Sequence, residues 1–369
     1  MNILYLGISF RLGSTTDKVG GGEISNRLLL QELSKKHNVY VFSAYGSDMW
    51  GEEYNGIKMY DLSSKLKWLG SLSIFSSKIL FRFFYYFYAH KIMPDIILCG
   101  PNTVSLSLFL SKKLNVPAGC FIRAFENFSI KNEKLKDKVI KLLKTVTYGG
   151  FKRKSINKLD FLLPNSEFML RECKKEFDCK FYHVVYPPLD INKHAFLIPK
   201  RIKNIVMVSN LEHKGFNLFK SISERFLDIN FTAVGVTGIT SVKKISKNLF
   251  FEGWQKKPQD FILKADLVLV PSLWEEPFGR IAVEALCCGR MVIVSDKGGL
   301  PETVNYNDSI ILPSDDLQQW ISKINLIIKS PFLFEKDYEN AVSNVDMFSL
   351  PIQAERFEFF LKKQISSSF

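Results

Sequence analysis

One stretch constrains the fold more than any other. The apolar run Leu267-Val268-Leu269-Val270 stops at Pro271-Ser272, where a strand ends. A short turn follows, with two carboxylates, a proline and a glycine. Ile281-Ala282-Val283-Glu284-Ala285-Leu286-Cys287-Cys288 then has the composition of a helix, closed by Gly289. Met291-Val292-Ile293-Val294-Ser295 is the next apolar run, so the order is strand, loop, helix, strand. In open α/β sheets, ligands sit at the carboxyl ends of strands beside helix N-termini. Gly279 permits close approach to the backbone, and the first helical turn offers N–H groups to an anion.

Glu276 lies in the turn and Glu284 eight residues later on the helix. Both can look into one crevice if the helix starts near Phe278. Carboxylates repel phosphate, so they are better suited to neutral hydroxyls such as those of a ribose or a sugar. In the alternative reading, Glu276 only favours a helix N-terminus and Glu284 is solvated.

The chain of 369 residues suits two domains, and 46% hydrophobic residues argue against disorder. Cys99, Cys120, Cys173, Cys179, Cys287 and Cys288 show no metal-ligand spacing. Buried thiols in a reducing, cytoplasmic compartment are expected. The first eight residues form a strand-length apolar run without a basic leader, so no signal peptide is expected. The net charge of +13 is concentrated in the first half, and residues 131–158 hold ten basic residues against two acidic ones. Leu135, Val139, Leu142, Leu143 and Val146 recur there at helical spacing, as in a basic amphipathic helix suited to an anionic membrane surface. A solvated helix face is the alternative. No helix-turn-helix, zinc-finger or RNP-like pattern accompanies the charge, so no nucleic-acid partner is expected.

Taken in order, residues 2–7 read as a buried strand. A polar loop ending in Gly20-Gly21-Gly22 comes next, and then a helix over 23–36. The triplet is neither a GxGxxG fingerprint nor a P-loop. Strands are expected at 39–43, 57–60, 95–99, 118–122 and 161–164. Residues 68–89 are apolar and aromatic but are interrupted by Lys78, Arg82 and four serines. They predict a helix that is partly core and partly membrane-facing, not a span. Pro187-Pro188 and the polar stretch to Arg201 mark a boundary. The pattern then restarts: strands at 204–209, 230–236, 249–252, 267–270, 291–295 and 309–312, helices at 217–226, 259–264 and 316–329. This predicts two doubly wound Rossmann-like domains over parallel sheets, facing each other across a ligand crevice, at 1–195 and 196–350. A terminal helix within 351–369 packs back toward the first.

At this point the chain resembles the retaining GT-B glycosyltransferases of family 4. Glu276-Pro277-Phe278-Gly279-Arg280-Ile281-Ala282-Val283-Glu284 matches that family's E-x7-E motif. Pro271-Ser272, Ala265-Asp266, Gly298-Gly299 and Pro301-Glu302 match in order and spacing. The resemblance covers nearly the whole chain and is strongest over 200–315. It implies that Glu284 holds the donor's ribose hydroxyls, that Glu276 contacts the transferred sugar, and that backbone amides of Phe278, Gly279 and Arg280 face the diphosphate. Lys214, before Gly215, matches the lysine that neutralises the leaving group without a metal ion. Gly21 and Gly22 match the glycine-rich loop over donor and acceptor, and Trp254 the base-contacting position.

Two departures stand out. Where the family pairs an arginine with the lysine, this chain has Asn210, so Arg280 or a residue of the N-terminal loop is a substitute. Where the family has a histidine in the first domain, this chain reads Phe121-Ile122-Arg123-Ala124-Phe125-Glu126, leaving Arg123 or Glu126 to take the position. His213 and His183 are expected to be structural or solvated. The resemblance implies a metal-independent retaining hexosyltransferase with no cofactor beyond its UDP- or GDP-linked donor. The expected acceptor is a lipid-linked glycan in surface polysaccharide (lipopolysaccharide-type) biosynthesis, and the expected location is peripheral at the inner face of the plasma membrane. A transferase for small soluble acceptors and a non-transferring sugar-nucleotide enzyme are the alternatives.

Overall fold

Runs such as Ile96-Ile97-Leu98-Cys99 are apolar at every position, as a strand covered by helices on both faces must be. The computed structural model describes residues 1–12, 20–124, 153–189, 193–253 and 259–367. It places such runs at the centre of two sheets, in two units: Met1–Pro188 with Leu350–Phe369, and Leu189–Ser349.

The first unit contains β1 (Asn2–Ser9), β2 (Asn38–Tyr45), β3 (Trp50–Tyr54), β4 (Ile57–Asp61), β5 (Ile96–Cys99), β6 (Ala118–Ile122), β7 (Phe161–Pro164) and β8 (Phe181–Tyr182). Their order is β3-β4-β2-β1-β5-β6-β7-β8. All pairs are parallel except β3 with β4. Alternation along β1 sends Leu4 and Leu6 into one core with Phe42, Phe81 and Ile97. It sends Ile3 and Tyr5 into another with Leu29, Val41 and Phe121. Its longer helices before Pro188 are α1 (Gly21–Ser34), α2 (Ser73–Ile92), α3 (Val104–Leu114) and α4 (Glu167–Glu176).

Gly21 and Gly22, expected in a loop, are the first two residues of α1, with Gly20 as an extended N-cap. Gly22 is there for space: a Cβ on it would lie 3.1 Å from Arg123 Cβ. On α2, Phe81, Tyr85 and Ala89 recur every four residues and are fully buried, while Trp68 before the helix and Phe87 on it are exposed. No helix among the described residues is long and apolar enough to cross a membrane.

The second unit contains β9 (Asn204–Val208), β10 (Asn230–Val236), β11 (Lys243–Lys244), β12 (Leu249–Gly253), β13 (Leu267–Val270), β14 (Met291–Ser295) and β15 (Ile311–Leu312). Their order is β11-β12-β10-β9-β13-β14-β15, parallel apart from the edge strand β11. Helices α5 (Phe216–Ser223), α6 (Arg280–Cys287), α7 (Leu317–Lys329) and α8 (Glu335–Ser343) belong to it. The last helix, α9 (Leu350–Ser366), belongs to the first unit. There Phe357 packs on Phe121 and Phe360 on Phe161. Glu358 accepts from Lys362 and meets His37 and Lys36 beyond the end of α1. Two expectations of purely parallel sheets are thus modified at their edges, where β3 and β11 run antiparallel. A hairpin return needs only a short turn, whereas a parallel one needs a crossover.

Candidate functional site

In the second sheet the chain leaves β9 toward β10 on one side, and β13 lies on the other. The loops after β9 and β13 therefore diverge at the carboxyl ends of neighbouring strands, which is where an open α/β sheet leaves room for a ligand. Backbone packing brings the two loops together. Gly215 has φ +87°, and a Cβ on it would lie 1.8 Å from the Pro271 carbonyl oxygen. Leu273 and Trp274 donate their N–H groups to the His213 carbonyl at 3.0 and 3.1 Å. Ser295 Oγ, at the end of β14, donates to the Ser272 carbonyl at 2.7 Å.

These contacts set Lys214 Nζ 2.6 Å from Glu276 Oε1. Ser272 Oγ donates to the same oxygen at 3.0 Å, and the ammonium sits 4.7 Å from the centre of the Trp274 ring. The Glu276 backbone is held from the other side by the glycine pair. Gly299 N–H donates to the Glu276 carbonyl at 2.7 Å. Gly298, at φ +62°, has no room for a side chain, because a Cβ would lie 2.2 Å from that same oxygen. A Cβ on Gly299 would lie 2.9 Å from Phe278 Cα and from the Pro277 carbonyl oxygen, so the two glycines together let the turn at 275–278 pack closely.

The turn then closes into α6 through Gly279, whose φ of +102° makes it a left-handed N-cap. Phe278 points inward, 2% exposed, with its ring 5.1 Å from that of Phe348. Only its backbone is left for a ligand, and its side chain anchors the turn. Glu284 is 4% exposed, which rules out a solvated carboxylate. Its Oε1 lies 3.3 Å from Arg280 Nη2, and Gln259 Nε2 donates to Oε2 at 3.3 Å. Burial raises the Glu284 pKa above the usual glutamate value, and the charge and hydrogen bond of Arg280 pull it the other way. A desolvated carboxylate is a strong acceptor for hydroxyl donors.

The structure thus joins Lys214 with Glu276, and Arg280 with Glu284. Asn210 is half-buried on the Lys214 loop, next to Ser209 at φ +109°. Arg280, considered as the replacement cation, directs its guanidinium to Glu284. Arg123 lies in the first unit, where Nε donates to Asn26 Oδ1 at 3.0 Å and Nη1 to the Val185 carbonyl at 2.6 Å. Its guanidinium also covers the Phe121 ring, 4.8 Å from its centre, so it ties β6 to α1. Glu126, Trp254 and residues 131–152 of the basic segment lie outside the described residues.

His213 is exposed and meets Trp274 edge-on; His183 stacks on Phe360 at 4.4 Å. Ser272, Trp274 and Gln259 are the additions that sequence reasoning missed. Ser272 belongs to the quoted Pro271-Ser272 pair and Trp274 lies between it and Glu276, whereas Gln259, 25 positions from Glu284, carries no local signal. The six cysteines are buried and free. Among the described residues, no group of three or more His, Cys, Asp or Glu is placed to hold a metal ion.

Residues 190–345 match the family model of glycosyl transferases group 1. The chain is 26% identical over 361 residues to an uncharacterized 42.6 kDa protein in the cps region of Klebsiella pneumoniae, over 89% of this chain and 93% of that one. A 68-residue stretch, 18% of each chain, is 41% identical to a lipopolysaccharide 1,2-N-acetylglucosaminetransferase of Salmonella typhimurium. Among solved structures, Anabaena HepE in complex with UDP is similar at a TM-score of 0.72 and 17% identity, covering 98% of this chain and 100% of that one. The fold is that of the two-domain, Rossmann-like GT-B proteins.

Proposed function

We propose that this chain, with a glycosyl transferases group 1 region over residues 190–345, is a retaining, metal-independent hexosyltransferase. The observation that carries the proposal is the Lys214–Glu276 pair beside the α6 N-terminus and the buried Glu284, all at the carboxyl end of one sheet. In this reading Glu284 accepts from the ribose hydroxyls of the donor. Glu276 accepts from hydroxyls of the transferred sugar. Lys214 and the N–H groups of Phe278, Gly279 and Arg280 receive the diphosphate as its charge develops. The bond from the anomeric carbon to the diphosphate oxygen breaks and a bond from that carbon to an acceptor hydroxyl oxygen forms. The hydroxyl proton leaves with the diphosphate, and no covalent enzyme nucleophile is assigned. A uridine donor is supported by the likeness to a UDP complex.

The proposed acceptor is a lipid-linked glycan of surface polysaccharide biosynthesis, in line with the names of the two sequence relatives. It is met at an anionic membrane surface. In support of that, Trp68, Leu72, Phe87 and Met93 are 60–79% exposed on and around α2, and Lys67 and Lys91 are exposed among them. The test is incubation with radiolabelled UDP- and GDP-sugars and a bacterial lipid extract. UDP release coupled to a labelled, extractable glycolipid is expected. Labelled free or isomerised sugar in place of a glycolipid refutes the transferase reading. Transfer to soluble sugars, without sedimentation on anionic liposomes, refutes the lipid-linked acceptor alone.

A further inference from the structure

We propose that Trp274 is a positioning residue that aims Lys214 at the phosphate farther from the nucleoside; the proposal rests on the reading of Lys214 as the diphosphate contact. The loop after β9 carries Asn210 and Lys214, so one flexible lysine does the work of a cation pair there. An ammonium on a four-carbon stem has many rotamers, and it contributes little to a transition state unless something restricts them. Two groups restrict it here. Glu276 Oε1 is 2.6 Å from Nζ, and the face of the Trp274 indole is 4.7 Å away, centre to Nζ.

The two differ in kind. A carboxylate holds the ammonium by cancelling its charge. An aromatic face holds it through the ring quadrupole and leaves the positive charge in place for an incoming anion. Once sugar hydroxyls occupy Glu276, as the functional reading has it, the indole is the group that still directs Nζ.

Trp274 itself is held independently of its ring. Its N–H donates to the His213 carbonyl at 3.1 Å, a bond that needs no side chain, while the His213 ring abuts the indole edge-on. The ring can therefore be changed while the backbone that joins the two loops stays in place. Because His213 immediately precedes Lys214, the same backbone bond fixes the distance from the indole to the start of the lysine stem.

The experiment compares UDP with UMP by calorimetric titration of the full chain, with GDP and GMP in parallel, because each pair differs by one phosphate. Wild type is expected to prefer the diphosphate. Trp274→Leu, which keeps bulk but has no aromatic face, is expected to weaken diphosphate binding roughly 3- to 30-fold, with monophosphate binding unchanged. Trp274→Phe is expected to restore most of the difference. In a Lys214→Met background, Trp274→Leu is expected to add nothing. Equal loss of mono- and diphosphate binding, or wild-type selectivity in Trp274→Leu, overturns the proposal. A wild-type chain without preference for the diphosphate overturns the Lys214 reading and this proposal with it.

Discussion

Replacing Gly298 with alanine tests whether loop packing places Glu276. Gly298 has φ +62°, a conformation that costs an alanine about 1–2 kcal/mol. The added Cβ would lie 2.2 Å from Glu276 O, 2.5 Å from Glu276 N and 2.8 Å from Glu275 C, all backbone atoms with no flexible side chain to yield. Relief requires the turn to withdraw by about 1 Å, and a reacting group misplaced by that much can lose about 100-fold in rate. The 2.7 Å bond from Gly299 N–H to the Glu276 carbonyl weakens as well, by about 1 kcal/mol.

Together these give a stability loss of roughly 2–3 kcal/mol, with transfer slowed about 100-fold. Gly235→Ala is the control. Its φ is +84°, but a Cβ meets nothing within 4 Å, so it should cost only the conformational term of about 1–2 kcal/mol and leave transfer intact. Urea unfolding followed by tryptophan fluorescence, alongside initial transfer rates, compares the two. If Gly298→Ala is as mild as Gly235→Ala in both assays, Glu276 is not placed by that packing.

Three further outcomes follow from the same contacts. Lys214→Gln should lower the turnover rate by about 100-fold or more, since it removes a charge that acts on the leaving group; unchanged turnover with a raised KM would contradict this. Burial and the charge of Arg356 push His183 down to about 4, so the unfolded chain takes up that proton first as pH falls below about 6.5. Stability present above pH 6.5 is thus lost toward pH 4. His183→Phe, which can keep the stack on Phe360, should lose about 1 kcal/mol less than wild type between pH 7.5 and pH 5; equal losses by thermal denaturation would refute it. Because the Glu284 pKa is raised, nucleotide binding should weaken on acidification at a higher pH than an ordinary glutamate would dictate. Titration at a series of pH values shows whether it does.

Several inner strands were legible to the residue, and β1, β2, β5 and β9 to within one or two residues. Ala118–Ile122, Phe161–Pro164, Asn230–Val236, Leu267–Val270 and Met291–Ser295 stand where their apolar runs stand. The edge strands Trp50–Tyr54 and Lys243–Lys244 were not, because their residues are largely exposed and they are joined to the sheet by backbone bonds without a periodic signature. Helix α8 escaped for a related reason: only Tyr338 and Ala341 of it are buried, too few to mark a face.

In the site, the spacing of Glu276 and Glu284 pointed to hydroxyl-binding carboxylates, and Gly298-Gly299 was visible as a pair. What each glycine does appears only when the turn at 275–278 lies against it. The Lys214–Glu276 contact spans 62 positions and the Gln259–Glu284 bond 25, so both depend on strand order, which local pattern does not encode. Gly21 and Gly22 were read as loop from their propensity, whereas they open α1, and the Arg123 side chain lies close to Gly22.

The central claim is that the carboxyl end of the second sheet binds a nucleoside diphosphate through Glu284. A thermal-shift titration with UDP, GDP, ADP and CMP, on wild type, Glu284→Ala and Glu284→Gln, tests it most directly. Glu284→Gln keeps the volume and one acceptor oxygen while removing the charge. The account predicts that one nucleoside diphosphate stabilises wild type and that both variants bind it roughly 10- to 100-fold more weakly. Equal stabilisation of all three proteins, or none of any by any nucleotide, would contradict it.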